Sequence, residues 1–120
     1  MVVWIKLGSA LMFLSVALGA FGAHALRGKL SDHALDVYRS AVLYHMVHAL
    51  ALFAVAWLSA QSADPKIFSA GCCFILGIVL FSGSLYLLSV TGLKWLGAIT
   101  PLGGLSFLAG WFLIFISKIN

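Results

Sequence analysis

Two histidines, His45 and His48, stand three residues apart in an apolar segment, a spacing that places both on one face of a helix. Imidazole titrates near neutral pH, and its neutral form has one donor and one acceptor nitrogen. Such a pair can carry protons, ligate a metal ion or bind a polar ligand. It can equally join two helices through hydrogen bonds to hydroxyl or backbone oxygens. Both interpretations stay open on the sequence.

Further polar side chains occur at compatible depths in the other apolar segments. Most of them approach the membrane side that carries the longest loop, residues 26–37. Polar groups inside a membrane usually face the interior of the bundle or a water-filled cavity. We therefore predict one polar recess, centred on His48 and open toward that loop, that is formed by His24, Tyr44, His45, His48, Ser82, Ser84, Tyr86 and Thr100.

The pattern of reactive residues does not indicate catalysis. No carboxylate lies within an apolar segment, and we find no serine nucleophile motif, phosphate-binding glycine loop or cofactor fingerprint. A zinc site of His24, His45 and His48 would lack an acidic or thiolate ligand. The adjacent Cys72 and Cys73 point about 100° apart on a helix and suit apolar packing. We predict a protein that is not an enzyme and has no metal and no cofactor.

Four apolar stretches must position these side chains. They are expected as helices over residues 4–25, 38–60, 67–90 and 95–117, each long enough to cross a hydrocarbon core of about 30 Å. The chain is 63% hydrophobic and only 8% charged, so its apolar surface exceeds what a small core can bury. We predict an all-α, polytopic integral membrane protein, a four-transmembrane-helix bundle in which residues 1–120 form a single membrane domain.

The charges lie near the predicted helix ends and in loops. Their sum of +4 suits phosphate headgroups of the lipid bilayer and does not indicate nucleic acid binding. Ser31 can cap a second helix, and Asp32 and Asp36 favour its first turn, so this helix can begin near Asp32 and either project from the membrane or bend. The aromatic residues expected in the two interfacial belts are Trp4, Trp57 and Trp111 on one side and Tyr38, Tyr86 and Trp95 on the other.

Proline and small residues predict the packing of the helices. Pro101 lacks a backbone donor and disturbs the carbonyl of Gly97, which predicts a kinked fourth helix. In some transporters such broken helices form the substrate site. Small residues let two backbones approach closely, either within the bundle or toward a partner. The expected helix-packing positions are Gly8, Ser15, Gly19, Ala23, Gly77, Gly97 and Gly104.

Five short motifs resemble a known family. They are residues 19–26 (GAFGAHAL), 44–52 (YHMVHALAL), 81–86 (FSGSLY), 96–104 (LGAITPLGG) and 109–111 (AGW). In this order they resemble the domain of unknown function family 423, small bacterial inner-membrane proteins related to the eukaryotic transmembrane protein 256 group. The resemblance implies about four helices and carries no established activity. It also implies glutamine more often than histidine at position 45, which leaves His48 as the centre of the recess.

Two functions follow as expectations. The first is a non-catalytic accessory or interaction subunit of the bacterial inner membrane, acting in a larger membrane protein complex or as a homo-oligomer, because four short helices leave little room for other machinery. The second is a small channel, transporter or ligand-binding protein that uses the recess around His48 for a proton, a cation, a quinone or a lipid headgroup.

Overall fold

A computed structural model describes residues 1–119 of the chain, and its helices form four antiparallel spans. The first span is α1 (Val2–His24) and the second is α2 (Asp32–Gln61). The third, Pro65–Thr91, consists of α3 (Pro65–Gly77), a π-helical turn (Ile78–Ser82) and α4 (Gly83–Thr91). The fourth, Lys94–Phe115, consists of a 3₁₀-helix (Lys94–Ala98) and α5 (Thr100–Phe115). All four spans are long and apolar enough to cross a membrane, as predicted.

The second span begins earlier than the stretch 38–60 because its first turn is capped. The Ser31 hydroxyl accepts a hydrogen bond from the backbone N–H of Ala34 at 3.1 Å, and Asp32 occupies the first turn. The resulting helix has 30 residues, which at 1.5 Å per residue is about 45 Å. Because a hydrocarbon core measures about 30 Å, the helix extends beyond it.

The third span contains a wider turn where it meets the fourth most closely. A Cβ atom placed on Gly103 would lie 2.2 Å from the backbone nitrogen of Phe81, within the π-helical turn. One placed on Gly77 would lie 2.3 Å from the ring of Phe107. Glycine is therefore the residue that permits this separation between the two spans.

The disturbance at Pro101 takes the form of a new helix start. The fourth span, expected as one kinked helix over 95–117, is a 3₁₀-helix up to Ala98 and an α-helix from Thr100. Pro101 lies in the first turn of α5, where its missing N–H costs no intrahelical hydrogen bond. The turn is closed instead by Leu102 and Gly103, whose N–H groups donate to the carbonyl of Ile99.

The spans lie side by side in chain order. α1 packs chiefly against α2, α2 also packs against the third span, and α5 packs against the third span, so α1 and α5 stand at the two ends of the row. An apolar core fills the half of the bundle nearest the α2–α3 connection. Its members include Trp4, Leu52, Val55, Ile67, Phe74 and Phe107.

The aromatic residues divide between the lipid interface and the interior. Trp57 and Trp95 are each 62% exposed, consistent with interfacial belts. Trp4 and Tyr38 are instead buried, because each ring covers a glycine of a neighbouring helix. A Cβ atom on Gly71 would lie 2.5 Å from the Trp4 ring, and one on Gly22 would lie 2.3 Å from the Tyr38 ring.

A polar clasp joins the end of the fourth span to the α2–α3 connection. The Asp64 carboxylate accepts from the backbone N–H of Lys118 at 2.8 Å and from that of Lys66 at 3.0 Å, and so also caps α3. The Ser62 hydroxyl donates to the carbonyl of Lys118 at 2.5 Å. The hydrogen bond from Lys118, followed by that from Lys66, holds the pKa of Asp64 below its ordinary value.

Candidate functional site

His45 joins α2 to α4 and is almost fully buried. Its Nδ1 lies 2.8 Å from the hydroxyl of Tyr86. The Tyr86 ring meets that of Tyr38 edge-on, with centroids 5.3 Å apart, and the Tyr38 hydroxyl donates to the carbonyl of Leu18 on α1. One aromatic and polar chain of contacts thus links three spans. Nε2 of His45 is buried and has no hydrogen-bond partner among residues 1–119.

His48 joins α2 to α5 through Nε2, and its Nδ1 bonds within α2. Its Nδ1 lies 2.7 Å from the carbonyl oxygen of Tyr44, and its Nε2 lies 3.0 Å from the indole nitrogen of Trp111. An indole N–H can only donate, so Nε2 must be the acceptor and the proton must sit on Nδ1, which donates to the carbonyl. The contacts therefore select one neutral tautomer of His48.

Aromatic rings enclose the same imidazole. The ring of Phe107 stacks on His48 with centroids 3.6 Å apart and planes 10° apart, and Phe74 lies 5.6 Å away. His48 keeps only 4% of its surface exposed. A proton on Nε2 would oppose the Trp111 N–H donor, and a metal ion there would displace it. In this arrangement the main role of His48 is to join α2 to α5.

Ser84 and Thr100 form a third polar contact, between α4 and α5. Their hydroxyl oxygens are 2.6 Å apart, and Ser84 also lies 2.9 Å from the carbonyl of Phe81. If Ser84 donates to that carbonyl, Thr100 supplies the proton of the bond between the two hydroxyls. This contact ties the start of α5 to the third span.

Two predicted recess residues stand apart from these contacts. His24 is exposed at the end of α1, and its side chain makes no hydrogen bond within the part of the chain that the structure describes. Ser82 is fully buried, yet its hydroxyl also lacks a partner among the described residues. The predicted single recess is thus divided into separate pairs, because the histidines face different neighbours: His45 faces α4 and His48 faces α5.

An open groove lies on the membrane-facing side of His48. It encloses about 580 Å³ between α2, the third span and α5. Tyr44, 43% exposed, stands at its edge, and the hydroxyl of Tyr44 makes no hydrogen bond within residues 1–119. The groove is lined by Tyr44, His48, Phe81, Pro101, Gly104, Leu105, Phe107, Leu108 and Trp111.

The small residues predicted at helix contacts fall into two groups. Gly8, Ser15, Gly19 and Gly77 lie at close approaches: a Cβ atom on Gly8 would lie 3.2 Å from the carbonyl of Ala49, and one on Gly19 would lie 3.3 Å from Val42. Gly104 has only ordinary contact with the Phe81 ring, at 3.8 Å. Two predictions are not met, since Ala23 is exposed and no atom of residues 1–119 lies within 4 Å of a Cβ placed on Gly97.

Sequence reasoning missed Trp111 as the partner of His48. Trp111 follows Phe107 by four residues, so both rings lie on one face of α5 and both reach His48. That spacing was the available signal. Of the five tightest glycine positions, Gly77 was in the predicted packing set, whereas Gly22, Gly71, Gly103 and Gly110 were not.

Comparison with known proteins assigns the chain to a family. Residues 18–104 match the family described as "Protein of unknown function (DUF423)". The "UPF0382 membrane protein YwdK" of Bacillus subtilis (strain 168) is 51% identical, with 100% of this chain and 98% of the relative covered. The chain belongs to the DUF423 family. The resemblance stated from the motifs is thereby confirmed.

Other DUF423 relatives also match along almost their whole length. A "UPF0382 membrane protein" of Staphylococcus haemolyticus is 47% identical, with 98% of this chain and 95% of the relative covered. One of Staphylococcus saprophyticus is 42% identical, with 97% and 96% covered. No solved structure gives a significant match. The relatives are named membrane proteins, and this chain has four helices long and apolar enough to cross a membrane, so it is a multi-pass membrane protein.

Proposed function

We propose that this protein is a non-catalytic accessory or interaction subunit of the bacterial inner membrane, acting in a homo-oligomer or a larger membrane assembly. The observation that carries the proposal is how the polar groups are used. His45, His48, Ser84 and Thr100 all make hydrogen bonds between spans. Polar side chains committed to holding helices together leave little for chemistry.

The outer face of α1 supplies the surface for association. α1 buries only Trp4, Gly8, Ser15 and Gly22, whereas the central α2 buries ten residues. A shallow groove of about 530 Å³ runs along α1 where it meets Phe53 of α2. Its lining includes Phe13, which is 78% exposed, and the small residues Ser9 and Ala17. Small side chains beside an exposed ring permit close approach of another helix.

Substitution on α1 tests the proposal. The protein is purified in a mild detergent and in nanodiscs, its mass is measured by light scattering, and contacts are recorded by cross-linking in native membranes. Ala17→Phe fills the groove and should reduce the associated fraction at least severalfold. Ala109→Phe, on the exposed face of α5, is the matched control and should leave association unchanged. A wild-type protein that is strictly monomeric and cross-links to nothing would contradict the proposal.

A second candidate is a small channel, transporter or ligand-binding protein for a proton, a cation, a quinone or a lipid headgroup. The groove beside His48 favours it, and so does the hydroxyl of Tyr44, which makes no hydrogen bond among residues 1–119, because they place polar groups at an opening toward the bilayer. Two variants distinguish it from a structural role in reconstituted vesicles. His48→Leu should abolish flux or binding with the fold intact. Trp111→Phe, which frees Nε2, should preserve or strengthen it. If both variants only lower thermal stability, the structural role is supported.

A further inference from the structure

A pocket lies on the side of the membrane that carries the long loop, away from the hydrogen bonds of His45 and His48. It encloses about 330 Å³ between the first turns of α2 and the junction of the third and fourth spans. His33 and Val37 line it from α2, and Leu88 and Ser89 line it from α4. Gly92 lines it from the short connection that follows, and Lys94 from the start of the 3₁₀-helix. Gly92 ends α4 with a positive φ of 71°, a conformation that turns the chain sharply toward Lys94.

The depth of this pocket matches that of lipid headgroups. The third span ends at Thr91 and the fourth begins at Lys94, so the pocket lies at the edge of the hydrocarbon region. α2 exceeds the core thickness by about 15 Å, because its 30 residues extend about 45 Å. Its first residues, including His33, therefore stand among headgroups. Trp95, exposed beside Lys94, is a side chain typical of this interface.

The charge in the pocket suits an anion. Lys94 forms no salt bridge within residues 1–119 and offers three donors, and His33 offers a further ring donor. Asp32 and Asp36 are close to His33 in the sequence, but neither lines the pocket. The carboxylate of Asp36 lies 3.6 Å from the guanidinium of Arg39. The Ser89 hydroxyl donates to the carbonyl of Tyr86, which leaves its oxygen free to accept a hydrogen bond.

We propose that this pocket binds the headgroup of an anionic phospholipid, with the phosphate on Lys94 and His33. Val37 and Leu88 form an apolar wall against which the glycerol and the first acyl carbons can lie, and Ser89 can accept from a headgroup hydroxyl. A free anion would gain nothing from that wall. Basic pockets between helices at the membrane surface are known to take anionic headgroups.

Native mass spectrometry of the full chain in detergent tests this site. The probes are dioleoyl phosphatidylglycerol and dioleoyl phosphatidylcholine, and the first bound lipid is quantified. Lys94→Gln and His33→Gln should each weaken the first phosphatidylglycerol about tenfold, while Lys94→Arg retains the charge and should restore it. Lys29→Gln, an exposed lysine on the same side that does not line the pocket, is the matched control and should stay within twofold. Circular dichroism confirms the fold of each variant.

Several results would overturn the proposal. Equal loss in Lys94→Gln and Lys29→Gln would show diffuse attraction to positive charge in place of a site. Equal affinity of the wild type for the two lipids would remove the anionic selectivity. Displacement of phosphatidylglycerol by millimolar inorganic phosphate would show that the pocket takes a free anion.

Discussion

The indole N–H of Trp111 donates a hydrogen bond to Nε2 of His48 across 3.0 Å, and this contact joins α5 to α2. It sets the tautomer of His48, because a nitrogen that accepts from an indole cannot itself carry a proton. It also explains why an ionisable side chain is tolerated in an apolar interior. Both of its nitrogens are satisfied by protein groups.

Removal of this hydrogen bond should destabilise the bundle. Trp111→Phe leaves Nε2 of His48 without its donor, at an expected cost of about 1–3 kcal/mol for an unsatisfied buried group. A double-mutant cycle with His48→Phe, measured by unfolding in mixed micelles, should give a coupling energy of about 1 kcal/mol. Trp57→Phe, at an exposed interfacial position, is the control. Strict additivity of Trp111→Phe and His48→Phe would show that the two side chains do not interact.

The glycine contact between the third and fourth spans should be highly sensitive. Gly103→Ala places a methyl group 2.2 Å from the backbone nitrogen of Phe81, so the two spans must separate. We expect the free energy of unfolding to fall by about 1–3 kcal/mol or more. Gly97→Ala meets no atom of the described residues within 4 Å and should change the free energy of unfolding by less than about 0.5 kcal/mol. Similar unfolding curves for the two variants would contradict the packing described for Gly103.

His45 should tolerate glutamine better than an apolar residue. A glutamine amide can keep a hydrogen bond to the Tyr86 hydroxyl, whereas His45→Leu leaves that hydroxyl unpaired in the interior. We expect His45→Gln to stay within about 1 kcal/mol of the wild type and His45→Leu to lose about 1–3 kcal/mol. Thermal unfolding in nanodiscs measures both. In a Tyr86→Phe background the two substitutions should become equivalent, and a persistent difference there would reject the contact.

The clasp at Asp64 predicts a dependence of stability on acid pH. The pKa of Asp64 in the folded state lies below its ordinary value of 3.8. The carboxylate therefore contributes fully to folding stability above pH 3.8, and this contribution is lost as the pH falls through the lower folded pKa. The melting temperature of the wild type should therefore fall more steeply below about pH 4 than that of Asp64→Asn. Asp36→Asn, at an exposed ion pair, should keep the wild-type profile. Parallel curves for wild type and Asp64→Asn would contradict the clasp.

Much of the architecture was predictable from apolar length. The four stretches are each about 20 residues long, and the bilayer requires such segments to be helices because their backbone groups cannot bond to water. The early start of α2 also followed from Ser31 and Asp32, since capping is a local interaction. The disturbance at Pro101 was predictable for a similar reason, because proline acts on the backbone of its own helix.

The pairing of polar groups was harder to predict. The sequence indicates that His45 and His48 share a helix face, but their neighbours depend on how three other helices are rotated and how deep they sit. The π-helical turn at Ile78–Ser82 alters the rotation of the third span, and no residue type in that segment predicts such a turn. His24 was expected beside the other histidines, yet it lies exposed at the end of α1.

The sequence by itself determined that the chain is a four-span membrane protein, that α2 begins at a capped turn and that Pro101 disturbs the fourth span, because these outcomes depend on local hydrophobicity, capping and proline. Only the tertiary structure decided that His45 meets Tyr86, that His48 meets Trp111 and that Gly103 rather than Gly97 lies at the close contact. Those outcomes depend on the relative rotation of packed helices, which is set by many weak side-chain contacts between residues far apart in the chain.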